Sequence, residues 1–273
     1  MSDNIAFIGG GNMARGLIGG MIATGREPAS IHVAEPVAAL RDSLRADFGV
    51  SIFDNGAGAV AGASTWVFAV KPQVMRMVCE SLAAQAQAQR PLVISIAAGI
   101  TGNQLERWLG GALPVIRTMP NTPALLGAGV TGLHASEQVN VDGRAFAESL
   151  LAAAGKTVWI EDESLMDVVT AVSGSGPAYI FLLAEAMIDA GIAEGLPADA
   201  ARELALQTVL GAARMLTEEG APDAAELRRR VTSPNGTTHA AIESFEAGGL
   251  RTLVADAVHA ARERGRELSA ANE

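Results

Sequence analysis

Six residues near the start of the chain constrain its fold more than any other feature. The apolar run Ile5–Ile8 leads directly into Gly9-Gly10-Gly11-Asn12-Met13-Ala14, a G-x-G-x-x-A pattern, and then into helical spacing at Leu17 and Met21. A strand that turns into a helix across such glycines opens a strand–helix–strand unit that binds a dinucleotide. Gly9 makes the tight turn, Gly11 lets the backbone approach a pyrophosphate, and the small Ala14 lets helix and strand pack closely. The helix N-terminus offers unpaired N–H groups and the positive end of its dipole to the phosphates. The bland alternative is one more turn in a chain with 30 glycines, but a position immediately after a strand favours the ligand. Ile8, Gly9, Gly10, Gly11, Asn12 and Met13 are therefore expected to contact a cofactor.

Up to Glu161 the chain keeps alternating between two periods. Buried strands are expected at Ile5–Ile8, Ile31–Ala34, Trp66–Val70, Leu92–Ile96 and Val115–Arg117, with helical patterns such as Val37/Leu40/Leu44 between them. Continuous apolar strands alternating with helices imply a parallel sheet covered on both faces. Gly129–Leu133 and Thr157–Ile160 flank a helical segment at Asp142–Ala153 and extend the sheet. Beyond Glu161 the pattern is helical only. Ala201, Leu204, Ala205, Thr208, Val209, Ala212, Met215 and Leu216 step by three and four as one helix face, and Leu250, Leu253, Val254, Ala257, Val258 and Ala261 repeat that spacing. Every residue of Pro177–Ala184 is apolar or aromatic, so that helix must be buried centrally or against another subunit. The expectation is an α/β chain: a Rossmann dinucleotide-binding domain over residues 1–161 and an all-α domain over 162–273.

Composition narrows the partners. Thirty acidic residues against 20 basic ones give a formal charge of −10, the wrong sign for nucleic acid or an anionic membrane. A single cysteine, Cys79, supports neither an intramolecular disulfide nor a multi-thiolate metal site, so no metal is expected and a reducing cytoplasm fits. No contiguous run reaches the ~18 apolar residues of a membrane-spanning helix. The chain also starts without the basic and apolar regions of a secretory leader.

The strand ends supply further candidates. After Ile31–Ala34 comes Glu35, where an acidic residue accepts hydrogen bonds from the adenosine ribose and favours NAD over NADP. An exposed loop glutamate is the alternative. Glu35 has a route into solvent, and Arg41 lies within reach of a 2′-phosphate, so NADP(H) also remains open. Ala69, Val70, Lys71 and Pro72 place a scarce lysine and a stiffened turn at the next strand end; Lys71 and Lys156 are the only lysines. Ala97, Ala98 and Gly99 are small enough to admit a nicotinamide ring, or simply small for packing.

Three dense patches follow: Arg117–Pro123, Ser173–Tyr179 and Val231–Thr238. In the last, hydroxyls and a glycine precede a helical pattern at His239–Glu246, so several N–H and O–H donors converge at a helix start. Such a cradle suits a substrate carboxylate. One hydroxyl would suffice for an ordinary N-cap, and this loop has four.

With the glycine fingerprint, the Val70-Lys71-Pro72-Gln73 turn and these three patches, the whole chain resembles pyrroline-5-carboxylate reductase. The resemblance implies an N-terminal Rossmann domain, a C-terminal helical dimerisation domain, active sites completed across a homodimer, and further assembly. It implies transfer of a hydride from NAD(P)H to the C=N carbon of L-1-pyrroline-5-carboxylate, giving L-proline in the last step of proline biosynthesis. Ser233, Gly236 and Thr237 would then hold the substrate carboxylate, and Thr238 would reach the ring nitrogen as the catalytic contact. Glu163 would lie near the substrate and Asn55 near the adenosine. Family habit favours NADP(H); Glu35 makes NAD(H) plausible. Asn235 stands where the family usually has glycine, and Asn is the residue best able to replace it at positive φ. Two rivals stay open. A β-hydroxyacid-type dehydrogenase would need a proton acceptor, typically lysine, that the helical part lacks. A non-catalytic dinucleotide sensor would have no need of a second anion cradle.

Overall fold

The structure, a computed structural model, describes residues 4–271, so both outer limits expected above, residues 1 and 273, lie outside the described residues. The chain divides into two compact units. The first comprises residues up to Ser175 together with 260–273, and the second is Gly176–His259. The division falls later than the expected 161 and is not a single cut. The reason is packing that sequence periodicity does not carry: the end of the last helix returns to the first unit, where the Gln104 side chain donates to the Ser269 carbonyl (3.0 Å).

The first unit is built on eight strands: β1 Ile5–Ile8, β2 Ile31–Ala34, β3 Ser51–Phe53, β4 Thr65–Phe68, β5 Leu92–Ser95, β6 Val115–Met119, β7 Gly129–Ala135 and β8 Gly155–Trp159. Their order is β3-β2-β1-β4-β5-β6-β7-β8. The first six are parallel, β7 runs antiparallel to β6, and β8 is parallel to β7. The order 3-2-1-4-5-6 reverses direction beside β1, which is where ligands bind in doubly wound sheets. Connecting helices are α1 Asn12–Ala23, α2 Ala38–Phe48, α3 Gly56–Val60, α4 Pro72–Gln89, α5 Gly102–Trp108 and α6 Val141–Ala152. The short α7, Met166–Val169, runs into a wide turn at Thr170–Gly174.

Alternation along β1 shows why the strands read as unbroken apolar runs. Ile5 and Phe7 join Leu17, Ile18, Val33 and Leu44 in one core. Ala6 and Ile8 join Trp66, Phe68, Met75 and Leu82 in another on the opposite face. Each fully buried large side chain contributes roughly 1.5–3 kcal/mol.

The second unit contains α8 Gly176–Ala193, α9 Ala198–Thr217, α10 Ala224–Arg230, α11 Thr237–Ala247 and the start of α12 Leu250–Ala271. In α9 only Ala201 and Ala205 are buried, while Leu204, Met215 and Leu216 face solvent. Burial of the Pro177–Ala184 segment is not met within one chain: Phe181 and Leu182 are each 67% exposed. One expectation is corrected. By length and composition the helical run Glu163–Ala193 is long and apolar enough to cross a membrane. Counting contiguous apolar residues missed it because serines, glycines and isolated acids interrupt the run without lowering its average much.

Candidate active site

The cofactor candidates converge on one edge of the sheet, at the carboxyl ends of β1 to β5. The Gly9 N–H donates to the Ala34 carbonyl (2.9 Å), the Ala69 N–H to Ile8 (2.8 Å) and the Glu35 N–H to Phe53 (3.0 Å). These bonds stitch the turns after β1, β2, β3 and β4 into a continuous rim. Gly9 adopts φ +105°, and a Cβ there would lie 2.6 Å from the Ala69 carbonyl oxygen, so only glycine fits. At Gly11, by contrast, a Cβ would meet nothing within 4 Å, and the residue is exposed. Gly11 starts α1 with no side chain capping it, so open space and unpaired N–H groups face outward together. That is the opening a pyrophosphate requires, and the residues present fit a dinucleotide.

Asn12 is exposed, Met13 is half-buried against the first core, and Ile8 closes the strand beneath the turn. Asn55 follows β3 on the same rim. Its side chain accepts from the Gly58 N–H (2.9 Å), capping α3, and donates to Asp54 Oδ1 (2.7 Å). Val70 packs against the second core, Lys71 is exposed, and Pro72 begins α4 where a missing N–H does no harm. After β5, Ala97 is buried, Ala98 is half-buried and Gly99 adopts φ +68°. A Cβ on Gly99 would come within 3.3 Å of Leu268, so the smallness of Gly99 lets the end of α12 approach.

Glu35 is on the rim but not in the form expected. It is 7% exposed, and its carboxylate accepts from the Gly10 N–H (3.1 Å) and the Val37 N–H (3.0 Å). Its route into solvent is closed by these two bonds. Arg41 is held at the same strand end: its Nη1 donates to the carbonyls of Glu35 and Pro36, each at 2.8 Å.

Glu163 lies elsewhere in this unit. Its Oε1 accepts from the Gly102 N–H at the start of α5 (2.7 Å) and from Arg117 Nη1 (3.3 Å). Arg117 also donates through Nη2 to Asp167 Oδ1 (3.0 Å). Arg117 and Glu163 line a polar cavity with Asn103, Glu106, His134 and Arg144. Burial pushes the Glu106 carboxyl above its ordinary range. Arg117 and Asp167 carry no assigned role in the sequence reading, although an arginine inside the apolar strand Val115–Met119 signals a buried charge that needs partners. Asn121, from the same patch, donates to the Ser173 carbonyl (3.1 Å) and accepts from the Val130 N–H (3.0 Å). It ties the end of β6 to the turn before α8.

In the second unit, Asn235 adopts φ +59°. Gly236 is the N-cap of α11, and no side chain caps the helix. Ser233 and Thr237 are exposed and Thr238 is half-buried. The ordinary N-cap reading of these hydroxyls is not realised.

The doubly wound order, the open glycine turn at its switch point and the separate helical unit define a dinucleotide-dependent oxidoreductase. Residues 4–99 match a family of NADP oxidoreductases described as coenzyme F420-dependent, and residues 163–268 match the pyrroline-5-carboxylate reductase dimerisation family. The chain is 52% identical over 269 residues to a pyrroline-5-carboxylate reductase of Pseudomonas aeruginosa, covering 98% of this chain and 97% of that one. The solved reductase of Coxiella burnetii is 43% identical with a TM-score of 0.94, covering 98% and 99% of the two chains. That of Plasmodium falciparum, solved with NADP bound, is 26% identical with a TM-score of 0.85, covering 98% and 99%. The chain belongs to the pyrroline-5-carboxylate reductase family.

Proposed function

We propose a division of labour for the reaction that this chain catalyses as a member of its family, the NAD(P)H-dependent reduction of L-1-pyrroline-5-carboxylate to L-proline. Residues 1–161 hold the dinucleotide through the Ile8–Met13 turn, Glu35, Asn55, Ala69–Pro72 and Ala97–Gly99. Residues 162–273 provide dimerisation and the substrate contacts. Bound along the rim, the cofactor supplies the hydride. A protonated imine is already strongly electrophilic, so the protein's task is mainly to position it. Ser233, Gly236 and Thr237 hold the carboxylate through hydroxyl and backbone donors. Thr238 hydrogen-bonds the ring nitrogen and steers its proton. Glu163, anchored by Gly102 and Arg117, presents a fixed negative charge that favours the protonated imine.

The observation that carries this reading is the start of α11, which no side chain caps although the hydroxyls of Ser233, Thr237 and Thr238 stand beside it in the chain. Homodimers assembling further, in the cytoplasm, fit a biosynthetic reductase with one buried thiol. The test is the loss of nicotinamide absorbance with pyrroline-5-carboxylate. Thr238→Ala should lower kcat by about ten- to a thousandfold with the fold intact. Ser233→Ala should act chiefly on KM, because a carboxylate contact is made in ground and transition states alike. Wild-type kcat in Thr238→Ala would reduce Thr238 to part of the helix start.

A further inference from the structure

We infer that the last turn of α12 is part of the cofactor site: Leu268 and Ser269 are positioning residues that fix the turn Ala97–Gly99, on which the nicotinamide rests. The inference stands on the cofactor rim proposed above. A turn that must leave room for a flat ring cannot anchor itself with bulky side chains, and Ala97, Ala98 and Gly99 carry no more than a methyl group each. Its neighbours therefore have to hold it. On the sheet side the Ala97 N–H donates to Ser95 Oγ (3.3 Å) and the Ile96 N–H to the Phe68 carbonyl (3.1 Å). At Gly99 the neighbour is α12, whose last residues belong to the same compact unit. A Cβ on Gly99 would lie 3.3 Å from Leu268 Cβ and 3.6 Å from the Ser269 nitrogen, so the end of the helix packs directly on the turn. Gly99 adopts φ +68° there, a conformation that favours glycine.

The seat is built as a clasp. Gln104 is buried, and both ends of its amide are used: Oε1 accepts from the Thr101 N–H (2.9 Å) and Nε2 donates to the Ser269 carbonyl (3.0 Å). The capping box that starts α5, just after Gly99, thus also grips the end of α12. One turn earlier lies Gly265, the one buried residue of α12 among the described residues. A Cβ there would be 3.4 Å from the Cβ of Asp167. Positions 265, 268 and 269 follow the spacing of one helix face, so α12 turns a single face to Asp167, Gly99 and Gln104. Hydride transfer depends on where the ring sits, and a displacement of about 1 Å can cost on the order of a hundredfold in rate. A turn without bulky side chains, released from α12, gives the ring that freedom.

The test separates the two halves of the cofactor. On the full-length protein, NADH is titrated against ADP-ribose and NADPH against 2′-phospho-ADP-ribose, the same molecules without nicotinamide. Leu268→Gly removes the side chain packed on Gly99. Gln104→Glu keeps the acceptor for Thr101 but sets a carboxylate oxygen against the Ser269 carbonyl, and it covers the case in which the glycine variant fails to fold. Each should weaken the nicotinamide cofactors about five- to tenfold while the fragments change less than about twofold. Each should also lower the single-turnover rate of hydride transfer about tenfold or more. Leu268→Met should recover most of the loss. A loss shared equally by cofactor and fragment, as general loosening of the unit would give, overturns the assignment. So do folded variants with wild-type cofactor binding and hydride transfer. Ala98→Met, which crowds the proposed ring site, separates this inference from the rim beneath it. If it leaves the cofactor-to-fragment ratio unchanged, the placement of nicotinamide beside this turn fails and takes the positioning role with it. If it shifts the ratio and the α12 variants do not, the role of α12 alone fails.

Discussion

Phe181 offers the sharpest test of how the helical unit is stabilised. It lies on α8, a helix whose residues from Pro177 to Ala184 are all apolar or aromatic, and 67% of it is uncovered in the single chain. A phenylalanine presents on the order of 150–250 Å². Covering two thirds of that area at ~25 cal/mol per Å² contributes about 2–4 kcal/mol per copy. A closed dimer carries the residue twice, so Phe181→Asp removes about 5 kcal/mol before the cost of burying a carboxylate is added. That corresponds to a dimer weakened by roughly three orders of magnitude or more.

Sedimentation velocity over a dilution series into the nanomolar range measures this loss, with thermal unfolding followed in parallel. Wild type should remain dimeric or larger, and its Tm should rise with concentration because assembly stabilises the folded subunit. Phe181→Asp should dissociate at low micromolar concentration with a lower Tm. A Phe181→Asp protein with the wild-type sedimentation profile and Tm would show that this face is not the one covered.

Two further outcomes follow from buried charge and a buried thiol. Arg117, 4% exposed, is the shared partner of Glu163 and Asp167, so Arg117→Met should cost about 3 kcal/mol and lower the urea midpoint by about 1 M or more. Adding Asp167→Asn should restore part of that loss, and an unchanged midpoint in the single variant would refute the clamp. Burial pushes the Cys79 thiol up to about 12, so it stays protonated at about pH 8 and native protein should resist alkylation until denaturant is added. Equal alkylation rates in native and unfolded protein would contradict that.

Much of the sheet was legible because its strands are buried on both faces. Ile5–Ile8 and Ile31–Ala34 stand where expected, and β4 to β8 differ only at their ends. The edge strand β3, Ser51–Phe53, was missed: it has three residues, all only half-buried, and its pairing with β2 defines it. The strand expected to reach Val70 stops at Phe68, since the chain is already leaving the sheet for α4, which opens at Pro72. The positive φ of Asn235 was legible from the resemblance, which puts it at a usual glycine position, together with the tolerance of Asn for that conformation. The partners of Glu35 and Glu163 were not, since Gly10 and Gly102 reach them only through the tertiary fold. The return of α12 to the first unit was hidden for the same reason, because it depends on contacts such as Gln104 with Ser269.

The starts of the helices connect these observations. Each helix leaves unpaired N–H groups at its first turn, and something must meet them. In α3, α5, α6 and α10 the chain supplies its own caps, from Asn55, Thr101, Asn140 and Asp223. The Val37 N–H ahead of α2 is taken by Glu35, and α4 begins with Pro72, which has no N–H. α9 starts after Pro197 with Asp199 in its first turn. α1 and α11 begin instead at Gly11 and Gly236, with no side-chain cap and no acidic residue in the first turn. Where the chain provides its own carboxylate, an outside anion is repelled; where it provides a bare glycine start, an outside anion completes the helix. The two bare starts are those assigned here to the cofactor pyrophosphate and the substrate carboxylate. A carboxylate placed at either, as in Gly11→Asp or Gly236→Asp, would occupy it with the chain's own charge and repel an outside anion.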